Sequence, residues 1–236
     1  MSGGRDAILG SIRRSLGRGP LSGDAAAALE AKLAAPPRGI IPRRVQLDPA
    51  ALVDLFESKA KGVNATVTRV ASADGVPDAV ADYLAHENLP ASLRMAPDRG
   101  LDDIPWSKRP TLTITRGPSD GSHEVGLTGV FAAVAETGTL MLASGPDSPT
   151  TLNFLPDSHI VVLRASQVVG PYEAGWDRVR ATYGSGSMPR TVNFVTGPSR
   201  TGDIEQKIYL GAHGPRRLHI IVIEDGEAAP PAPDGA

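Results

Sequence analysis

Three short polar stretches hold the residue types that could do chemistry in this chain of 236 residues. The first, Glu136-Thr137-Gly138, sits between the apolar runs 130–135 and 139–143. A carboxylate at a strand end, partly removed from water, has its pKa raised towards the range useful for general acid or base work. Thr137 and Gly138 are equally good turn formers, and a turn carboxylate in open water has no such role. The second stretch runs from Gly197 to Glu205, Gly-Pro-Ser-Arg-Thr-Gly-Asp-Ile-Glu. Backbone N–H groups in a Gly-led turn form an anion nest, above all at a helix start. Ser199 and Thr201 add hydroxyls and Arg200 a charge. Neither G-x-x-x-x-G-K-[ST] nor G-x-G-x-x-G occurs there. The competing reading is a Ser/Thr turn capping a helix, with Asp203 and Glu205 complementing its dipole. The third stretch, Gly211-Ala212-His213-Gly214-Pro215, precedes the last apolar run.

Two histidines accompany these turns. His159 opens the apolar run 159–163, and His213 lies in the third stretch. A histidine at the start of a buried strand is more often a hydrogen-bonded structural residue than a ligand. Two histidines with Glu136 or Asp203 could in principle hold a metal, but no close-spaced ligand pair supports one, and no metal is expected. His86 and His123 read as surface residues and His219 as structural. The loop 144–151 reads as a substrate loop or as a plain connection, the commoner case. The catalytic candidates are therefore Glu136, His159 and His213. The ligand-binding candidates are Thr137, Gly138, Gly197, Ser199, Thr201 and Asp203. Ligands of open α/β sheets bind where the strands end, so the three stretches are expected to meet at one rim of a single sheet.

These residues need elements to position them. Ile8, Ile12 and Leu16 recur every four residues and predict a short amphipathic helix over 6–16. An Ala-rich helix follows over 24–35, with Asp24 as its N-cap. It has little to bury, so residues 1–40 read as a helical appendage. Asp48-Pro49 opens the next helix with a cap and a first-turn proline, and Gly62 stops it. Strands are predicted over 65–70, 93–96 and 111–115, with a helix over 78–87. The runs 130–135 and 139–143 are apolar on both faces, as buried strands are. A strand over 159–163, a helix over 172–183 and strands over 191–195 and 218–223 complete the pattern. This alternation predicts an α/β domain over 41–225, a mostly parallel central sheet covered by helices. The Pro- and Ala-rich tail 226–236 is expected to be disordered.

Composition narrows the function classes. Hydrophobic residues make up 41% of the chain but aromatics only 4%, so the core must be mainly Ala, Val, Leu and Ile. A net charge of -2 implies no wholesale attraction to nucleic acid or to an anionic membrane. No apolar run approaches the ~20 residues of a membrane span. The N-terminus lacks the apolar core of a secretory signal, so a cytoplasmic location is expected. Cysteine is absent, which excludes thiolate nucleophiles, thiolate zinc sites and cysteine-ligated iron–sulfur clusters on this chain. No G-x-S-x-G elbow supports a serine hydrolase.

The order of these motifs resembles the lactate utilization protein C family, small members of the LUD-domain group. The matching pieces are Ala135-Glu136-Thr137-Gly138-Thr139, Leu155-Pro156-Asp157-x-His159, Gly197-Pro198-Ser199-x-Thr201-x-Asp203-Ile204-Glu205 and Gly211-x-His213-Gly214-Pro215. Arg5-Asp6-Ala7-Ile8-Leu9 is similar to the family's opening helix. The resemblance implies a fold like that of ribose-5-phosphate isomerase and the CoA transferases. It implies a part in oxidising L-lactate to pyruvate within a three-protein system, with iron–sulfur clusters on partner proteins and no cofactor on this chain. The expected ligand is a small anionic, lactate-like molecule. The resemblance brings no catalytic residues with it, so the site rests on strand-end placement. Two other readings stay open: a stand-alone sugar-phosphate isomerase or CoA-transferase-like enzyme acting through Glu136, and a ligand-sensing or scaffold protein.

Overall fold

The computed structural model describes residues 3–17, 19, 21–184, 186–204 and 207–224. Two compact units divide the chain, Met1–Gly39 and Ile40–Ala236. The first holds α1 (Gly3–Ser15) and α2 (Gly23–Ala34), and neither buries a residue. The N-cap of α2 is Ser22, not Asp24; its hydroxyl accepts from the Ala25 N–H at 3.3 Å, while Asp24 lies in the first turn.

In the second unit, α3 (Pro49–Gly62) begins as its sequence predicts. Asp48 Oδ1 accepts from the Ala51 N–H at 2.9 Å, and Pro49 fills the first turn, where a missing N–H costs nothing. β1 (Thr66–Val70), α4 (Val76–His86), β2 (Ser92–Met95), β3 (Thr113–Arg116) and β4 (Val125–Thr128) follow. β5 (Ala132–Val134) and β6 (Thr139–Ala143) form a hairpin. Then come α5 (Thr150–Phe154), β7 (Ser158–Arg164), β8 (Val168–Val169), α6 (Tyr172–Tyr183) and β9 (Val192–Val195). The hairpin β10 (Arg200–Ile204) and β11 (Lys207–Leu210) precedes the last strand, β12 (Arg217–Ile223).

The central sheet has six strands in the order β1-β12-β7-β4-β2-β3, all parallel. It is the sheet that the strand–helix alternation predicts. Side chains alternate across β7. Ile160 and Val162 join a core built on α4, with Val76, Val80 and Leu84. Val161 and Leu163 face the other way and join Phe56 and Ala60 of α3 with Leu140 and Leu142 of β6. A second sheet, β8-β5-β6-β9, therefore covers that face, and α6 packs on its far side through Val179 against Val134 and Met141.

This second sheet departs from the expectation of a single sheet. The runs 130–135 and 139–143 are apolar on both faces because they lie between the large sheet and α6. Two-sided apolarity shows burial; it does not distinguish a central parallel strand from a buried antiparallel hairpin. The Gly197 stretch also differs. No helix follows it; it leads into the β10–β11 hairpin. Glu205 and the tail 226–236 fall outside the described residues.

Gly138 closes the β5–β6 turn at φ +70°, and a Cβ there would meet the backbone of α3 at Ala60 N and, at 2.6 Å, Lys59 C. Both the torsion and the close approach exclude a side chain. Gly138→Ala is expected to destabilise the protein by about 2 kcal/mol or more. Thermal unfolding should show a Tm lower by about 4 °C or more. A variant that melts with the native protein would disprove this account of the turn.

Candidate functional site

A pocket of about 240 Å³ lies where the two sheets meet at the amino-terminal ends of β7 and β12. His159 and Leu218 form its floor, paired in register across those strands. Asn153 and Phe154 of α5 make one wall. The end of β9 and the turn after it, from Phe194 to Arg200, make a second. His213, Gly214 and Pro215 make the third.

Local sequence explains why these walls close. Gly126 stands opposite His159 in the β4–β7 register, and a Cβ there would lie 2.9 Å from both Leu152 O and Pro156 Cγ. The bare backbone lets α5 sit directly on β4, which buries Asn153 to 2% exposure. Gly197 has φ +74°, and a Cβ would run into Val63 O just past α3. Ser199 then joins the second and third polar stretches. Its N–H donates to Pro215 O at 2.8 Å, its carbonyl accepts from the Gly211 N–H at 3.0 Å, and its hydroxyl accepts from the His213 N–H at 3.3 Å.

The chemistry of the floor is set by burial. His159 is 1% exposed, and its Nε2 lies 2.8 Å from Thr128 Oγ1. Burial pushes its pKa down to about 4, so the imidazole is neutral at pH 7. Its Nδ1 has no hydrogen-bond partner among the described residues, and neither does Asn153 Oδ1. An unpaired buried polar atom costs roughly 1–3 kcal/mol. Two in the lining of one pocket mark a place that a ligand or water completes. Among the described lining residues Arg200 is the one fixed cation, and there is no carboxylate. The arrangement suits a small anion that also offers hydrogen-bonding groups.

The sequence-predicted residues divide sharply. His159, His213, Gly197 and Ser199 come together in the pocket. Glu136 does not line it; its Oε1 accepts from Arg44 Nη2 at 3.0 Å, and its N–H donates to Gly170 O at 3.1 Å. Gly138 presses on α3 instead. Thr137 lies outside the lining but is tied to it. Its hydroxyl is 2.6 Å from that of Thr139 and 2.8 Å from Tyr172, and Thr139 is 2.7 Å from Thr196, a lining residue. Thr201 lies in β10, outside the lining; Asp203 is in the same strand, and its side chain falls outside the described residues. The meeting place is thus the amino-terminal edge between two sheets, not the carboxyl rim of one. The hairpin turn that carries Glu136 belongs to the second sheet and points its carboxylate at Arg44.

Sequence reasoning missed Asn153, Thr128 and Thr196. Asn153 sits on a helix of five residues, too short to show a period. Thr128 ends a four-residue strand in which glycine interrupts the apolar pattern. Among the described residues no group of three or more histidines and acidic side chains could hold a metal ion. No helix among them is long and apolar enough to cross a membrane.

Comparison with known proteins places this pocket in a wider group. The LUD domain family model matches residues 119–223, which include all the described lining residues. A lactate utilization protein C from Deinococcus radiodurans is 33% identical over 183 residues, covering 75% of this chain and 82% of that protein. The lactate utilization protein C of Bacillus subtilis is 32% identical over 102 residues, covering 43% of this chain and 42% of its own. An uncharacterized protein of Neisseria meningitidis is 34% identical over 107 residues, 45% of each chain. The chain thus spans less than half the length of these last two relatives. The crystal structure of a DUF162 family protein from Deinococcus radiodurans matches with a TM-score of 0.58 at 28% identity. The match covers 75% of this chain and 99% of that one.

A second imidazole shares the burial of His159. His219 points to the opposite face of the large sheet, with Nδ1 2.8 Å from Thr66 Oγ1 and its ring stacked 4.1 Å from Tyr83. Burial pushes its pKa down to about 4 as well, against a small upward pull from Glu87. An unfolded histidine titrates near 6.5. Between about pH 6.5 and 4 the unfolded chain therefore binds protons that the folded chain does not, and stability rises with pH across that window. Acidification from 7 to 4 should remove up to about 3 kcal/mol per imidazole. Urea titrations at pH 7, 5 and 4 read this directly, and His219→Phe should lose about half the dependence. Unfolding midpoints that stay level across the range would show that neither ring resists protonation.

Proposed function

We propose a function that starts from family membership: this chain belongs to the lactate utilization protein C family of LUD-domain proteins. On that premise it serves lactate utilization as a non-redox component of the system that oxidises L-lactate to pyruvate. It binds a small anionic ligand, a hydroxy-acid carboxylate, in the pocket between the sheets. The observation that carries this reading is the lining itself. Arg200 supplies a cation and the Ser199 hydroxyl a hydrogen for a carboxylate, with no acidic side chain among the described lining residues to oppose them. His159 Nδ1 and Asn153 Oδ1 supply buried polar atoms that are unsatisfied until a ligand arrives.

Electron transfer belongs to other chains in this scheme. Iron–sulfur ligation needs thiolates, and this sequence has no cysteine to give. The partners are accordingly iron–sulfur proteins of lactate oxidation, and the setting is the cytoplasm. Chemistry through Glu136 by a stand-alone isomerase or transferase is less well supported, because that carboxylate pairs with Arg44 outside the lining.

Two measurements test the proposal. Sodium L-lactate should raise the Tm of the purified chain by mass action, and Arg200→Gln should weaken binding by about tenfold, as loss of a charge-assisted contact does. Affinity capture from cells grown on lactate should recover cysteine-rich iron–sulfur proteins. A Tm indifferent to lactate would count against the pocket. Capture without such partners would count against the complex.

A further inference from the structure

Thr139 is fully buried in β6 and forms no part of the pocket lining, yet it governs what one wall presents. The hydroxyls of Thr137, Thr139, Thr196 and Tyr172 make four hydrogen bonds. Thr137 and Thr139 are 2.6 Å apart, Thr137 and Tyr172 2.8 Å, Thr139 and Tyr172 3.0 Å, and Thr139 and Thr196 2.7 Å. A hydroxyl carries one hydrogen, and each bond uses one. Four hydrogens serve four bonds, so none is left over. Among the described residues Thr196 takes part in one bond, to Thr139, and its hydrogen lies there. Thr137, Thr139 and Tyr172 close a ring in which each donates once and accepts once. Thr139 accepts from Thr196 with its second lone pair.

The consequence reaches the ligand. Thr196 lines the pocket with its hydrogen turned away, and its oxygen offers lone pairs only. Asn153 Oδ1, buried and without a partner among the described residues, is an acceptor as well. We propose that the pocket selects anions carrying a hydrogen-bond donor beside the carboxylate, as 2-hydroxy acids do, and rejects the 2-oxo acid of the same size. Thr139 is the positioning residue that sets this preference. The proposal rests on the anion-binding reading above. A 2-oxo acid meets these acceptors with lone pairs of its own, and an acceptor left unpaired costs more than a bond merely not gained.

Isothermal titration of the full chain with sodium L-lactate and sodium pyruvate, at equal ionic strength, tests it. Lactate should bind roughly tenfold tighter or more. Thr139→Val releases the Thr196 hydrogen to the pocket, so pyruvate should gain and the ratio should fall towards unity. Thr139→Ser keeps the hydroxyl and should keep the ratio, an outcome that loss of packing alone does not produce. Thr196→Val alters an exposed residue and removes the acceptor itself, so it should lower the ratio even if the buried valine is not tolerated. Equal affinity of the native chain for both acids would overturn donor selection while leaving anion binding intact. A ratio unmoved by both valine variants would overturn the role of Thr139. Failure of both acids to bind would sink this inference and the functional reading together.

Discussion

Coverage of β7 and β12 on both faces is the constraint from which the rest of the domain follows. α4 lies on one side of this strand pair, and α3 with the second sheet on the other. Apolar burial of that kind is worth about 25 cal/mol per Å², which is why both strands are nearly continuous runs of Ile, Val and Leu. The same coverage removes water from the few polar residues near their amino ends. Ser158, His159 and His219 are all at most 3% exposed. A buried imidazole stays neutral and must find partners within the protein. His159 finds Thr128 with one nitrogen and leaves the other open at the pocket floor. The candidate pocket is thus a place where the packing of two sheets leaves buried polar atoms of His159 and Asn153 without a partner among the described residues.

The end of α3 works as a common reference for two turns that are far apart in sequence. Gly138 presses against Ala60, and Gly197 against Val63. Neither position tolerates a side chain, so both turns are held at a fixed distance from the same helix. The hydroxyl cluster then joins them, from Thr137 in the first turn to Thr196 just before the second. In this arrangement the Glu-Thr-Gly motif serves the pocket from behind. Its threonine orients the wall, its glycine sets the spacing, and its carboxylate is turned towards Arg44. Such a supporting layer holds donors and acceptors in place before a ligand arrives, which lowers the cost of ordering them on binding.

Elements whose cause is local were legible. The Asp48-Pro49 start of α3, the span of α6 from Tyr172 to Tyr183 and the extent of β6 all follow from caps, periodicity and apolar runs within a few residues. The gathering of Gly197, Ser199 and His213 was also foreseeable in kind, since polar turns beside buried strands collect at sheet edges. Short elements escaped. β4, β8 and α5 have five residues or fewer and show no period that rises above chance. The Gly197 stretch was misleading for a different reason. Ser, Thr and Asp after a glycine are good helix caps and equally good hairpin residues, and the choice depends on what packs beside them.

By itself, then, the amino-acid order determined the composition of the core, the alternation of strand and helix, the absence of thiolate chemistry and the motifs that mark the family. These are properties of single residues and near neighbours, and they survive in any arrangement of the chain. Tertiary structure alone decided which runs share a sheet, at which edge the polar turns meet, and that Glu136 faces Arg44 while Thr196 faces the pocket. Those outcomes depend on contacts between residues tens of positions apart, such as Gly126 with α5 or Thr139 with Thr196. Apolar runs of similar strength pair almost equally well in many registers. Only the simultaneous fit of α3, the two sheets and α6 selects one of them.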